Sequence, residues 1–228
     1  MLRSADVVTL INASDLPPFR EIAPGRKYLP LPPGYNGPVA DIRRVTAATP
    51  RRALLLGGRR SEQKRQILLD WLDLSYRRLT AAGIELVVAG DMEDSLRDRL
   101  ARDYPQVQVM GFVDDLEGLL ATARMGIIAD TVGGGFKLRL LSHVFQRLPI
   151  IGLGDAIDGL PTREGDGYLG APDLPALVSL VEGVIDDVER LDRLQRRAFD
   201  DCAEAYSWES RARSFAKILQ GLDDELVS

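Results

Sequence analysis

Two hydrophobic patterns alternate along the chain. Short, unbroken apolar runs recur five times, "ALLLGG" (53–58), "IELVVAGD" (84–91), "VQVMGFVDD" (107–115), "MGIIAD" (125–130) and "PIIGLGD" (149–155), each closing on Gly or Asp. Runs of this length bounded by turn residues predict strands buried on both faces, the pattern of a parallel sheet. Between them lie stretches with apolar residues at helical spacing: "SEQKRQILLDWLDLSYRRLTAAG", "MEDSLRDRLARDY", "DLEGLLATA" and "FKLRLLSHVFQR". Strand alternating with helix predicts a doubly wound α/β domain with a mainly parallel sheet. The ligand crevice of such a sheet lies outside the carboxyl ends of the strands, where these Gly and Asp termini collect.

The pattern changes at both ends. Eight of the 13 prolines fall between Pro17 and Pro50. Proline lacks an N–H and disfavours helix in the residue before it, so this stretch predicts extended linker rather than a packed element. A short strand, "DVVTLI" (6–11), precedes it, and "RKYLPLP" is a second candidate. Residues 1–45 are therefore expected to be the tail of a different unit. After the last apolar run, "DLPALVSLVEGVIDDVERLDRLQRRAFDDCAEAY" and "SWESRARSFAKILQGL" predict two or three helices, with Ser207 as an N-cap and Glu209 favourable in the first turn.

Composition narrows the function. At 228 residues, 45% hydrophobic and 28% charged, the chain suits one sizeable core. A net charge of −5 gives no reason to expect nucleic acid or another polyanion as partner. A single cysteine, Cys202, allows no internal disulfide, and with His143 the only histidine a Cys/His zinc site cannot be built. A reducing, cytoplasmic compartment fits. No apolar run approaches the ~18 residues of a membrane span, and the first residues do not form a signal peptide.

The most informative stretch is "TVGGGFKLRLLSHVFQRLPIIGLGD" (131–155). A helix N-terminus offers unpaired N–H groups and a partial positive charge to anions. Gly133, Gly134 and Gly135 would let the backbone approach a ligand, and Lys137 and Arg139 add full charges. Phe136, Leu140, Leu141, Val144, Phe145 and Leu148 form one apolar face, and Lys137 falls inside it, where a lysine has no packing reason to be. Two readings stand: a phosphate-binding loop, or a tight turn with Lys137 reaching water. A second basic cluster, Arg59, Arg60, Lys64 and Arg65, follows the first strand and belongs to the same carboxyl edge. Two basic loops at one crevice suit a ligand with more than one phosphate, whereas a solvated helix start explains any one of these residues alone.

The order "LLLGG-R…K", "ELVVAGD", "VQVMGFVDDLEGLLATARMGIIAD", "GGGFKLRLLSHVFQRLPIIG", "GLP" and "SWESRARSF" resembles the nucleotide-sugar-binding C-terminal half of group 1, family 4-like retaining glycosyltransferases, whose GT-B architecture sets two Rossmann-like domains across a cleft. The resemblance covers about residues 50 to 225. It implies three segments: 1–45 as the last strands and linker of an acceptor-binding domain, 46–206 as the donor domain, and 207–228 as a helix crossing back to the first domain. It implies a nucleoside-diphosphate sugar as substrate, no cofactor and no obligatory metal. The acceptor would be a saccharide or lipid-linked, and any membrane contact would be peripheral, through the domain the chain lacks. Residue by residue, Gly58, Arg59 and Lys64 match the loop that neutralises the donor diphosphate, one residue shorter here. Gly133 to Gly135, Phe136 and Lys137 match the phosphate-facing or sugar-facing loop, and Val113 and Ser142 take nucleoside-facing positions.

This chain also departs from the family pattern. Two glutamates eight positions apart, one facing the donor sugar and one the ribose, are replaced by Gly134 and Ser142. A carboxylate hydrogen bond to ribose is worth roughly 1.5–3 kcal/mol, of which a serine keeps part. The resemblance thus leaves two functions open, the donor half of a transferase or a catalytically inactive nucleotide-sugar-binding module. A non-hydrolysing epimerase is disfavoured because no titratable pair for acid/base chemistry can be placed. His143, four residues after Arg139, is expected at the surface.

Overall fold

The computed structural model describes residues 4–132 and 135–226. Six strands form one parallel sheet: β3 (Arg52–Leu56), β4 (Glu85–Ala89), β5 (Gln108–Gly111), β6 (Met125–Ile128), β7 (Ile150–Leu153) and β8 (Tyr168–Ala171). Their spatial order, β5-β4-β3-β6-β7-β8, reverses direction between β3 and β6. That reversal is the topological switch point of a doubly wound sheet, so the crevice is fixed at the carboxyl ends of β3 and β6. The five expected strands form, and β8 is added. Only β5 departs from the expectation of burial on both faces, because it is the edge of the sheet and keeps Gln108 and Met110 exposed.

Side-chain alternation along the strands builds two cores. Leu54 and Leu56 of β3 and Val87 and Ala89 of β4 face Leu120 of α4 (Leu116–Ala121). Ala53, Leu55, Leu86 and Val88 face the larger core under α2 (Glu62–Ala81), α3 (Asp94–Asp103), α5 (Arg139–Phe145), α7 (Leu174–Val184) and α8 (Val188–Ala203). Side chains cap several helix starts: Ser61, Asp115, Asp173 and Asp187 accept from the backbone N–H groups of Lys64, Gly118, Ala176 and Arg190. A one-turn helix, α6 (Gly154–Ile157), follows β7.

The proline-rich stretch is not linker throughout. Leu16–Ile22 is a helix, α1, with Pro17 and Pro18 in its first turn, where a missing N–H costs no hydrogen bond. It joins β1 (Val7–Leu10) to β2 (Lys27–Pro30) as a parallel pair separate from the main sheet. From there residues 31–50 run extended over the larger domain and are clamped to it. Tyr35 stacks on Phe145 at 4.3 Å, Gln146 donates to the Pro38 carbonyl, and buried Arg124 donates to the carbonyls of Ala47, Thr49 and Ile185. The last helix, α9 (Trp208–Leu226), begins with Ser207 accepting from Ser210 N–H, as expected. Trp208 lies flat over Gly34 yet stays 56% exposed, and Phe215 is 43% exposed.

Candidate functional site

Two loops meet at the switch point. After β3 the chain turns through Gly57, Gly58 and Arg59; after β6 it runs from Asp130 toward α5. Gly90, at the end of β4, has φ +140°, and a Cβ there would lie 2.3 Å from the Gly57 carbonyl oxygen. No other residue fits this close approach of β3 and β4.

Among the described residues, three cavities line the carboxyl edge, each sharing lining residues with the next. The first, about 330 Å³, is bounded by Leu56, Gly57, Gly58, Ala89, Gly90, Asp91, Phe112, Val113, Leu116, Arg139 and Ser142. Its walls are mostly apolar, with Phe112 74% exposed at the mouth. The second, about 460 Å³, shares Gly57 and Arg139 with the first and adds Gln63, Lys64, Ile67, Asp130, Val132, Phe136, Lys137 and Leu138. The third, about 560 Å³, shares Asp130 with the second and collects Asp155, Glu164 and Asp173 beside Thr131 and the ends of β7 and β8. The sequence of environments is apolar, cationic, acidic.

The predicted site residues distribute unevenly over this row. Val113, Ser142 and Gly58 line the first cavity, Lys64, Phe136 and Lys137 the second. Gly135 has φ +80°, the left-handed region that its lack of a Cβ allows, and lines none of the three. Gly133 and Gly134 lie outside the described residues.

Arg59 is placed differently from a ligand-facing cation. It is 4% exposed and folds back to donate to the carbonyls of Leu56, Gly57 and Gly58. Burial and, next, the neighbouring Arg139 guanidinium push its pKa down to about 10, so it stays charged. Of the rest of that cluster, Arg60 pairs with Asp91, and Arg65 with Glu62 and Glu93. These two are solvated ion pairs, the plainer of the two readings, which leaves Lys64 as the member facing the cavity.

The loop before α5 also differs in detail. The helix starts at Arg139, not Phe136, and spans seven residues, so Phe136 and Lys137 belong to the loop. Lys137 Nζ donates to the Gly135 carbonyl at 3.0 Å, and burial lowers its pKa against the raising effect of Asp15. Arg139 pairs closely with Asp130 across the boundary of the second cavity. His143 is fully buried, correcting its expected surface position. Gly126 of β6 makes room for it, since a Cβ there would sit 2.0 Å from His143 Cδ2, and the extended segment is bonded to the end of α5 through Gln146 to Pro38 and Arg147 to Ala40. Desolvation pushes the imidazole down to about 4, outweighing its hydrogen bond to the backbone of Arg139, with the Arg139 and Arg43 charges lowering it further. The neutral ring donates from Nδ1 to the Arg139 carbonyl at 2.7 Å and so holds the first turn of α5 in place.

The sequence reading assigns no site role to Asp130, Phe112 or Leu116. Asp130 carried a signal, since it closes the apolar run "MGIIAD" and strand-terminal residues collect at the crevice. In sequence, Arg139 stands out only by its charge. Among the described residues no group of three or more His, Cys, Asp and Glu side chains could hold a metal ion, and no helix is long and apolar enough to cross a membrane.

The same fold recurs in solved structures. S. aureus TarM, crystallised as a variant in complex with Fondaparinux, alpha-GlcNAc-glycerol and UDP, superposes with a TM-score of 0.75 at 11% identity over 95% of this chain and 45% of its own. Anabaena HepE in complex with UDP and glucose gives 0.67 at 15% identity, over 95% of this chain and 64% of its own. Sucrose-phosphate synthase from Thermosynechococcus elongatus gives 0.70 at 17% identity, over 98% and 60%. The chain thus spans from less than half to less than two thirds of the length of these neighbours. No curated protein matches it by sequence. A family model described as glycosyl transferases group 1 matches residues 51–187, more than half of the chain and all of the six-stranded sheet. The chain belongs to the group 1 glycosyl transferases.

Proposed function

We propose that the chain is the donor-binding half of a glycosyltransferase that moves a sugar from a nucleoside diphosphate to a saccharide or lipid-linked acceptor. The observation that carries this reading is the pair of cavities sharing Gly57 and Arg139 at the switch point, one apolar and one faced by Lys64, Lys137 and Arg139. A nucleoside diphosphate has the same two parts in the same order. The base would lie against Phe112, Val113 and Leu116, the ribose by Ser142, and the phosphates among the cations, without a metal. Charge developing on the departing diphosphate would be stabilised by those cations in a partly dry site. Arg59 would act from behind, holding the carbonyls of residues 56–58 and adding its buried charge to the field.

The acceptor, and with it any peripheral membrane contact, would belong to a second domain. The small parallel pair β1–β2 supports reading residues 1–45 as the edge of such a domain, with residues 46–206 as the donor domain and α9 as the element that crosses back, its Trp208 and Phe215 incompletely covered. The buried free thiol of Cys202 fits a reducing cytoplasm. A second reading, a nucleotide-binding module without turnover, is favoured by one observation: Ser142 faces the nucleoside cavity where a carboxylate would hold ribose. Calorimetry with UDP, ADP and their nucleosides tests the first reading. The expected Kd for one diphosphate is on the order of 0.1–1 mM, with nucleoside binding weaker still. Equal affinity for diphosphate and nucleoside would overturn it. Sugar transfer by the longer enzyme, assayed with the matching sugar nucleotide, separates transferase from inactive module.

A further inference from the structure

Asp130 stands at one particular point of the row of cavities. Arg139 marks the boundary between the apolar and cationic cavities; Asp130 marks the boundary between the cationic and acidic ones. A ligand with its nucleoside in the first cavity therefore has its outer phosphate nearest Asp130. Among the described residues Asp130 is the single carboxylate lining the cationic cavity, and its side chain is only 12% exposed, so its charge is weakly screened. Its pairing with Arg139 fixes it in that position and leaves one carboxylate oxygen outside the ion pair. Beyond it, Asp155, Glu164 and Asp173 present acceptors and negative charge, and among the described residues no lysine or arginine lines that cavity.

We infer that Asp130 is a specificity-determining residue that makes the site favour a nucleoside diphosphate whose outer phosphate is esterified over one whose outer phosphate is free. This rests on the donor-binding reading above. The chemistry is a difference of charge. A terminal phosphate monoester has a second ionisation near pH 6 and carries close to two negative charges above it. Esterification to a sugar removes that ionisation. A fixed carboxylate at the outer end of the phosphate cavity repels the additional charge of the free diphosphate, and the acceptor-lined cavity beyond receives hydroxyl groups, which donate to carboxylates. In a transferase the same discrimination holds the intact donor and expels the diphosphate product.

The test compares two ligand pairs, UDP-glucose against UDP and ADP-glucose against ADP, on the 228-residue chain by calorimetry at pH 7.5. Asp130→Asn keeps size and an acceptor for Arg139 but removes the charge; Asp130→Glu keeps the charge. The Asn variant is expected to tighten the free diphosphate by roughly three- to tenfold more than the sugar nucleotide, and the Glu variant to retain the wild-type ratio. Asp130→Ser, small and neutral, carries the comparison should the amide variant not fold. An unchanged ratio in the neutral variants, with both ligands still bound, overturns the role of Asp130 and leaves the donor site standing. A wild-type chain that binds neither member of either pair overturns both.

Discussion

The buried histidine makes the stability of this domain depend on pH in a range where few other groups titrate. His143 has no exposed surface, and its pKa is pushed down to about 4 from an ordinary value of 6.5. The unfolded chain therefore binds a proton at higher pH than the folded one, so stability is complete above pH 6.5 and is lost as pH falls toward 4. Between pH 7.5 and 5 the loss from this single group is about 2 kcal/mol, and the full difference of pKa corresponds to about 3 kcal/mol. Most carboxylates still hold their charge at pH 5, so the effect can be read before general acid denaturation. The assay is urea unfolding at pH 7.5 and 5.0 for the wild type and for His143→Leu. The leucine variant is expected to lose about 1 kcal/mol at pH 7.5, for the hydrogen bond to the Arg139 carbonyl, and then to show little further loss at pH 5. Equal acid sensitivity in the two proteins would refute the assignment of that slope to His143.

Other expectations follow from the placement of single side chains. Lys64→Ala should weaken UDP and ADP binding about tenfold and leave the nucleosides nearly unaffected, in calorimetric titrations; parallel losses would mean that Lys64 merely supports α2. Arg59→Ala should instead lower the urea midpoint, by about 2 kcal/mol of stability, because it removes a buried donor from three backbone carbonyls; an unchanged midpoint would return Arg59 to the ligand-facing role. Phe112→Ala should weaken diphosphate and nucleoside alike, by roughly 1–3 kcal/mol if the base lies on the ring, and circular dichroism should be unchanged because Phe112 is largely exposed. Gly34→Ala places a Cβ 2.4 Å from the Trp208 ring and should displace it, shifting tryptophan emission to the red; an unaltered spectrum would show that the linker does not hold Trp208.

How much of this was legible in sequence depended on the range of the interaction. Continuous apolar runs ending in Gly or Asp marked five strands, and with them the carboxyl edge on which the crevice lies. β8 escaped because "YLGA" is short, carries a glycine and buries only alternate residues at the far edge. The α1 helix escaped because proline reads as a breaker unless it stands in a first turn, and the position of that turn is not written in composition. His143 lies off the single apolar stripe that helical spacing picks out, but α5 is wedged between the sheet and the linker and is buried on more than one side. Arg60 finds its acid on the loop after β4, some 30 residues away, and Arg65 adds Glu93 there to its local partner Glu62, so sequence alone could not tell a paired arginine from a ligand-facing one. Lys64, by contrast, stands out in the basic cluster after the first strand, and Val113 and Ser142 are marked by the family resemblance alone; each lines a cavity at the switch point.

The decisive question is where a nucleoside diphosphate binds on this domain. Backbone amide spectra of the isotope-labelled chain, titrated with UDP and separately with ADP, would locate it. For whichever ligand binds, shifts are expected together at Gly57, Gly90, Phe112 and Leu116 and at Lys64, Lys137 and Arg139, and the nucleoside alone should perturb only the first group. Shifts confined to another face of the domain, or no saturable shift with either diphosphate at millimolar concentration, would contradict the assignment of a donor site to this crevice.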